Sequence, residues 1–116
     1  MGSRAFVVIE DTDIALYDHT GANDKRIVKA VQRALMENNN LWQDPCFLCA
    51  KIFLAMVEEQ KESGESMQLG ITKWEFADAE LEVEINCHHQ TIVVSSSRDE
   101  DMIDCSFNEF IALGSL

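Results

Sequence analysis

The chain of 116 residues has a single proline and only five glycines. That excludes collagen, and no stretch of it reads as a flexible or proline-rich linker. Gly21 stands alone, so there is no glycine-rich loop of the kind that cradles phosphate. No serine or cysteine lies in a nucleophile elbow. No run approaches the roughly 18 apolar residues a membrane span requires. The early run Phe6-Val7-Val8-Ile9 is too short for a secretory signal, so the expectation is a chain that is neither exported nor membrane-bound. Basic residues are also scarce, with nine Lys and Arg against 21 Asp and Glu, a formal net charge of −12.

The acid excess is lopsided. Residues 1–57 hold 7 acids and 6 bases, a net −1, whereas residues 58–116 hold 14 acids and 3 bases, a net −11. A field of that sign repels nucleic acid and anionic membranes and steers the chain toward basic partners. Hydrophobic residues make up 47% and charged residues 26%, an ordinary globular balance. The length suits one domain covering residues 1–116.

Phe6–Ile9 and Ile14–Tyr17 are two β-prone runs around an Asp-rich turn, which predicts a hairpin. A helix is expected from Asn23 or Asp24 to about Glu37, with Ile27, Val31, Ala34 and Leu35 on one stripe. Asp44-Pro45 pairs a capping residue with proline at the first helical position, opening a second helix that Gly64 ends. From Ala77 to Cys87 apolar residues alternate with Asp78, Glu80, Glu82 and Glu84, the pattern of a strand with one carboxylate face. Thr91–Ser95 returns as its partner, and Ser106 is positioned to cap a short terminal helix holding Phe107, Phe110, Ile111 and Leu113. The expected fold is α+β, an antiparallel sheet in the order β-β-α-α-β-β with two helices packed on one face and a short C-terminal helix.

Two constellations compete as the site. The first is the carboxylate face, Glu75, Asp78, Glu80, Glu82 and Glu84, joined by Glu58, Glu59, Glu62 and Glu65 around the end of the second helix into one large anionic surface. Alternate residues on a strand face lie about 6.6–6.8 Å apart, a sparser but comparable polyanion to DNA with one charge per about 3.4 Å on each strand. Such charges also discourage strand edges from aggregating. The second is Arg4, Tyr17, His19 and Arg26, with Lys25, around the Gly21 loop. There a helix N-terminus favours anions and the rings could stack on a base, as for a nucleotide ligand.

Cys46-Phe47-Leu48-Cys49 has C-x-x-C spacing, and with Cys87, His88 or His89 it could supply zinc ligands. A second diagnostic ligand pair is lacking, and a redox motif would follow a strand in a βαβ unit. The expectation is four reduced thiols, at Cys46, Cys49, Cys87 and Cys105, with no metal, no cofactor and no catalysis.

Met1-Gly2-Ser3-Arg4, Val7-Val8-Ile9, Leu16-Tyr17-Asp18-His19 with Gly21, Trp42-Gln43-Asp44-Pro45, Leu69-Gly70-Ile71 and Gln90-Thr91-Ile92-Val93 together resemble a family of short, mostly uncharacterised phage and prophage proteins. Its members begin Met-Gly-Thr/Ser-Arg. Thr20 departs from the pattern, since a tryptophan usually follows the histidine or its neighbour, and cysteine is not required at positions 46 and 49. The resemblance implies a phage origin and a host-cytoplasmic setting, and it supplies no catalytic residues. Acidic accessory phage proteins resemble anti-defence proteins of the anti-CRISPR kind. The function expected is therefore inhibition of a host defence complex by binding its basic, nucleic-acid-binding surface. Sequestration of a nucleotide immune signal is the alternative, and a structural or regulatory phage protein a third. Exposed strand edges and the apolar tail from Phe107 to Leu113 also suit a homodimer.

Overall fold

The computed structural model describes residues 5–18, 26–64, 69–73, 81–96 and 103–114. Six strands and three α-helices follow in the order β1 (Ala5–Ile9), β2 (Ile14–Asp18), α1 (Arg26–Glu37), α2 (Pro45–Ser63), β3 (Leu69–Lys73), β4 (Leu81–Asn86), β5 (Thr91–Ser96), β6 (Ile103–Ser106) and α3 (Phe107–Gly114). A 3-10 turn, Asn39–Leu41, links α1 to α2. The fold is α+β, as expected, but the sheet is mixed.

Its strand order is β3-β2-β1-β4-β5-β6. β1 pairs antiparallel with β2 and parallel with β4, with Phe6 opposite Glu82 and Val8 opposite Glu84. The expected purely antiparallel sheet is thereby corrected, and so is the element order, because β3 and β6 add an edge strand on each side. The physical reason lies in β1, all five residues of which are buried. An unbroken apolar run has no polar face to turn to solvent, so it takes a central position with neighbours on both edges and cover on both sides.

Side chains alternate across the sheet. Ala5, Val7 and Ile9 of β1, Leu16 of β2, Leu81, Val83 and Ile85 of β4, and Ile92 and Val94 of β5 share the main core with all three helices. Phe6, Val8 and Ala15 form a second, smaller cluster on the other face, with Tyr17 packed against it.

The helices are fixed at their ends. Asp44 accepts a hydrogen bond from the Phe47 amide at 3.3 Å, Pro45 opens α2, and Gly64 closes it in the left-handed region at φ 75°. Arg33 of α1 reaches Glu58 of α2 at 2.8 Å, and Gln32 donates to the Phe110 carbonyl of α3 at 3.3 Å. At the start of α3 the Ser106 hydroxyl accepts from the Glu109 amide at 3.1 Å, and the Glu109 carboxylate accepts from the Ser106 amide at 3.0 Å. That reciprocal box confirms the expected capping role of Ser106 and holds the Glu109 carboxyl below its ordinary range. No helix among the described residues is long and apolar enough to cross a membrane.

β3 contains a glycine where strands normally avoid one. Gly70 is paired with Tyr17, and a Cβ at this position would overlap the Tyr17 ring. The ring therefore covers the glycine backbone, a known way to recover the packing a strand loses at glycine. Gly70→Ala should lower unfolding stability by about 1–3 kcal/mol through overpacking. In urea denaturation the Tyr17→Ala/Gly70→Ala pair should lose less than the sum of the single variants, since removing the ring removes the clash.

Candidate carboxylate face and end cleft

The face of the sheet away from the helices is divided. Toward β2 it is apolar, with Phe6, Val8, Ala15 and Tyr17. Toward β6 the register places Glu82 beside Ser95, Glu84 beside Val93, and Val93 beside Asp104. Glu84 and Asp104 are thus two strands apart, about 9–10 Å, and Glu82 and Glu84 lie about 6.6–6.8 Å apart along β4. Lys and Arg are absent from the described residues of β4, β5 and β6.

Glu82 is the distinctive member. It is half-buried beside Phe6, and its Oε1 is sequestered from solvent with no hydrogen-bond partner among the described residues. Burial, with a smaller contribution from Glu84, pushes its carboxyl above the usual range. A carboxylate in this position costs folding free energy, and no cation among the described residues of β4, β5 and β6 offsets it.

Of the five residues expected on this face, Glu82 and Glu84 are brought together, while Glu75, Asp78 and Glu80 lie outside the described residues. The single large anionic surface is corrected. Glu58, Glu59 and Glu62 belong to α2, and the helices cover the opposite side of the sheet, so two acidic surfaces are separated by the core. Glu58 is also engaged by Arg33. Glu65 is outside the described residues.

The alternative ligand site is not assembled by the residues described. Tyr17 lies with Phe6 on the face away from the described helices, whereas Arg26 lies on the helix side, its Nη2 3.9 Å from the buried Asp18 carboxylate. Strand alternation between positions 17 and 18 causes this separation. Only 11% of the Arg26 side chain is exposed, and Gln60 is buried in the same polar cluster. Arg4, His19 and Lys25 lie outside the described residues.

At the Ile9 end of β1 there is a cleft of about 390 Å³ lined by Asp11, Gln43, Pro45, Cys87, His88 and Gln90. Three segments build it: the β1–β2 turn, the β4–β5 turn and the entry to α2. They are cross-tied. Asp11 Oδ2 accepts from the Cys87 amide at 3.3 Å, and the Glu10 amide donates to the Ile85 carbonyl at 3.0 Å. The Asn86 side chain donates to Glu10 at 2.8 Å and accepts from the His89 amide at 2.9 Å. Gln90 has φ 54°, costing a non-glycine residue about 1–2 kcal/mol, and its carbonyl accepts from the Phe107 amide at 2.9 Å.

The two buried thiols near this cleft are quiet. Cys46 is exposed and Cys49 and Cys87 are buried; burial pushes Cys49 up, and burial followed by Asp11, Asp44 and Cys49 pushes Cys87 up to about 11. A thiol held that high is protonated at neutral pH and is a poor nucleophile or metal ligand. No group of three or more His, Cys, Asp or Glu among the described residues is arranged to hold a metal ion. Asp11, Gln43, Gln90 and Asp104 were not among the expected site residues. Their one available signal was position, since the first three stand in or beside turns that could meet only once β1 and β4 were known to be parallel neighbours.

The raised Glu82 carboxyl sets a pH dependence. Its proton is held more tightly in the folded chain than in the unfolded one, so its penalty is full above the folded value and disappears below the unfolded carboxylate value. Glu82→Gln should therefore be more stable than the parent at pH 7, with the gap in Tm closing as pH falls toward 4.

No protein-family model matches the chain, and neither a curated protein nor a solved structure matches it.

Proposed function

We propose that the protein acts by binding, as a small acidic inhibitor whose carboxylate face, on the side of the sheet away from the described helices, docks on a basic, nucleic-acid-binding surface of a partner. The observation that carries this reading is Glu82, a half-buried carboxylate with one oxygen lacking a donor, flanked by Glu84 in a region without Lys or Arg among the described residues. Its charge works against folding, and a residue that lowers stability in this way is commonly kept for function. A guanidinium or ammonium group from a partner would pair with the accessible carboxylates of this face, Glu84 and Asp104, and charge-assisted hydrogen bonds of that kind are stronger than neutral ones. Exposed Asp104 and half-exposed Glu84 widen the field that steers such a partner in.

The setting proposed with it is a phage-encoded antagonist of a host defence complex, working in the host cytoplasm. Support for that setting is the resemblance of the Met1–Arg4, Leu16–His19 and Trp42–Pro45 segments to short phage proteins, together with the net charge of −12.

The test is competition with DNA for nucleic-acid-binding defence complexes from a bacterial host. The parent protein should displace DNA from at least one such complex, and its affinity should fall as salt rises. Glu82→Lys/Glu84→Lys should weaken displacement at least tenfold while the fold is retained. Displacement that survives the double reversal would rule the reading out.

A further inference from the structure

The carboxylate row does not stop at the end of β4. Glu82 and Glu84 are followed on the same face by Asn86, whose side chain holds the Glu10 carboxylate at 2.8 Å, and Asp11 stands next in the chain at the cleft. The cleft, lined by Cys87 and His88, lies at that same end of β4. Resting on the binding function proposed above, we infer that the cleft is a socket for a guanidinium group, an arginine side chain of the basic partner. Asp11 supplies the carboxylate, the Gln43 and Gln90 side-chain carbonyls supply flanking acceptors, and Pro45 and the His88 ring line the walls.

Three features select this chemistry. The volume, about 390 Å³, lies within the range of small-ligand pockets and exceeds what one side chain fills, leaving room for the attached backbone. Among the described residues the lining holds one carboxylate, two carboxamides and no Lys or Arg, so it offers acceptors, one of them fully charged, to a donor-rich ligand. The field has the matching sign. Cys87 at the cleft is pushed up to about 11, first by burial and then by the negative charges of Asp11 and Asp44. The positive end of α2 also points here, about half a unit charge, but Asp44 caps it and more than cancels it.

Arginine fits such a lining better than lysine does. Its planar cation carries five donors in a fixed fork and can lie against a ring, whereas an ammonium is a compact point charge that prefers water. The cross-ties described above hold the acceptors in place before a ligand arrives. The Asp11 carboxylate is pinned by the Cys87 amide, and the Gln90 turn is pinned by the Phe107 amide. Gln90 is also a costly residue for a left-handed position that glycine or asparagine would fill at less cost, and it is one of the residues lining the cleft.

The experiment is amide chemical-shift titration of the ¹⁵N-labelled full chain with N-acetyl-arginine amide, N-acetyl-lysine amide and N-acetyl-citrulline amide, the last an uncharged isostere. Saturable shifts at Cys87, His88, His89 and Gln90 are expected with the arginine compound. The lysine compound should bind at least threefold more weakly, and the citrulline compound should give no saturable shift. Asp11→Asn can still accept from the Cys87 amide, so the turn should stay folded while arginine affinity falls at least tenfold. Equal shifts from arginine and lysine, shifts unaffected by Asp11→Asn, or no shifts at these four amides would overturn the socket. The two readings fail separately. Loss of displacement in Glu82→Lys/Glu84→Lys with an unresponsive cleft rejects only the socket, and a responsive cleft with displacement untouched by that reversal rejects only the carboxylate face.

Discussion

The parallel pairing of β1 with β4 is the constraint from which the rest follows. β1 is apolar at every position, so it needs cover on both faces and a neighbour on both edges. β2 supplies one edge through a tight turn. β4, far away in sequence, supplies the other. The register of that pairing sets Phe6 against Glu82 and Val8 against Glu84, so a carboxylate strand is forced up against a dry apolar cluster.

This juxtaposition explains the electrostatics of the face. Carboxylates on a freely solvated strand would keep their ordinary affinities for protons. Beside Phe6, Glu82 loses part of its hydration, and its Oε1 finds no donor among the described residues. The same pairing brings the turns after β1 and β4 side by side, and there the Asp11–Cys87 and Glu10–Asn86 hydrogen bonds form the cleft with the entry of α2. The face and the cleft are thus products of one strand register. The acids of α2 belong to a different surface, where Arg33 already neutralises Glu58.

Local chemistry made much of the fold readable. The β1–β2 hairpin, the Asp44-Pro45 helix start, the Gly64 stop, the Glu82–Glu84 alternation and the Ser106 cap all depend on neighbours within a few residues, and all appear as expected. What sequence order concealed was long-range. Nothing local announces that β4 enters beside β1, and the hydrophobic run of β1 was the sole hint. β3 was hidden by Gly70, whose strand conformation depends on the Tyr17 ring lying over it. β6 was hidden by brevity, since four residues carry little periodicity. At the site, the alternation correctly put Glu82 and Glu84 on one face but could not show which layer covers the other. That is why the α2 carboxylates were expected to join them, and why Tyr17 and Arg26 were expected to share a pocket although consecutive strand residues 17 and 18 point to opposite sides.

The central proposal is that the carboxylate face, and not the layer of described helices, receives a basic partner. It is tested most directly by mapping amide shifts on the full chain as an arginine-rich peptide is titrated in at low salt. Shifts concentrated on β4, on residues 87–90 and on β6, and lost at high salt, are the result this proposal predicts. Shifts centred on Glu58, Glu59 and Glu62 of α2, or spread evenly over the surface, would contradict it.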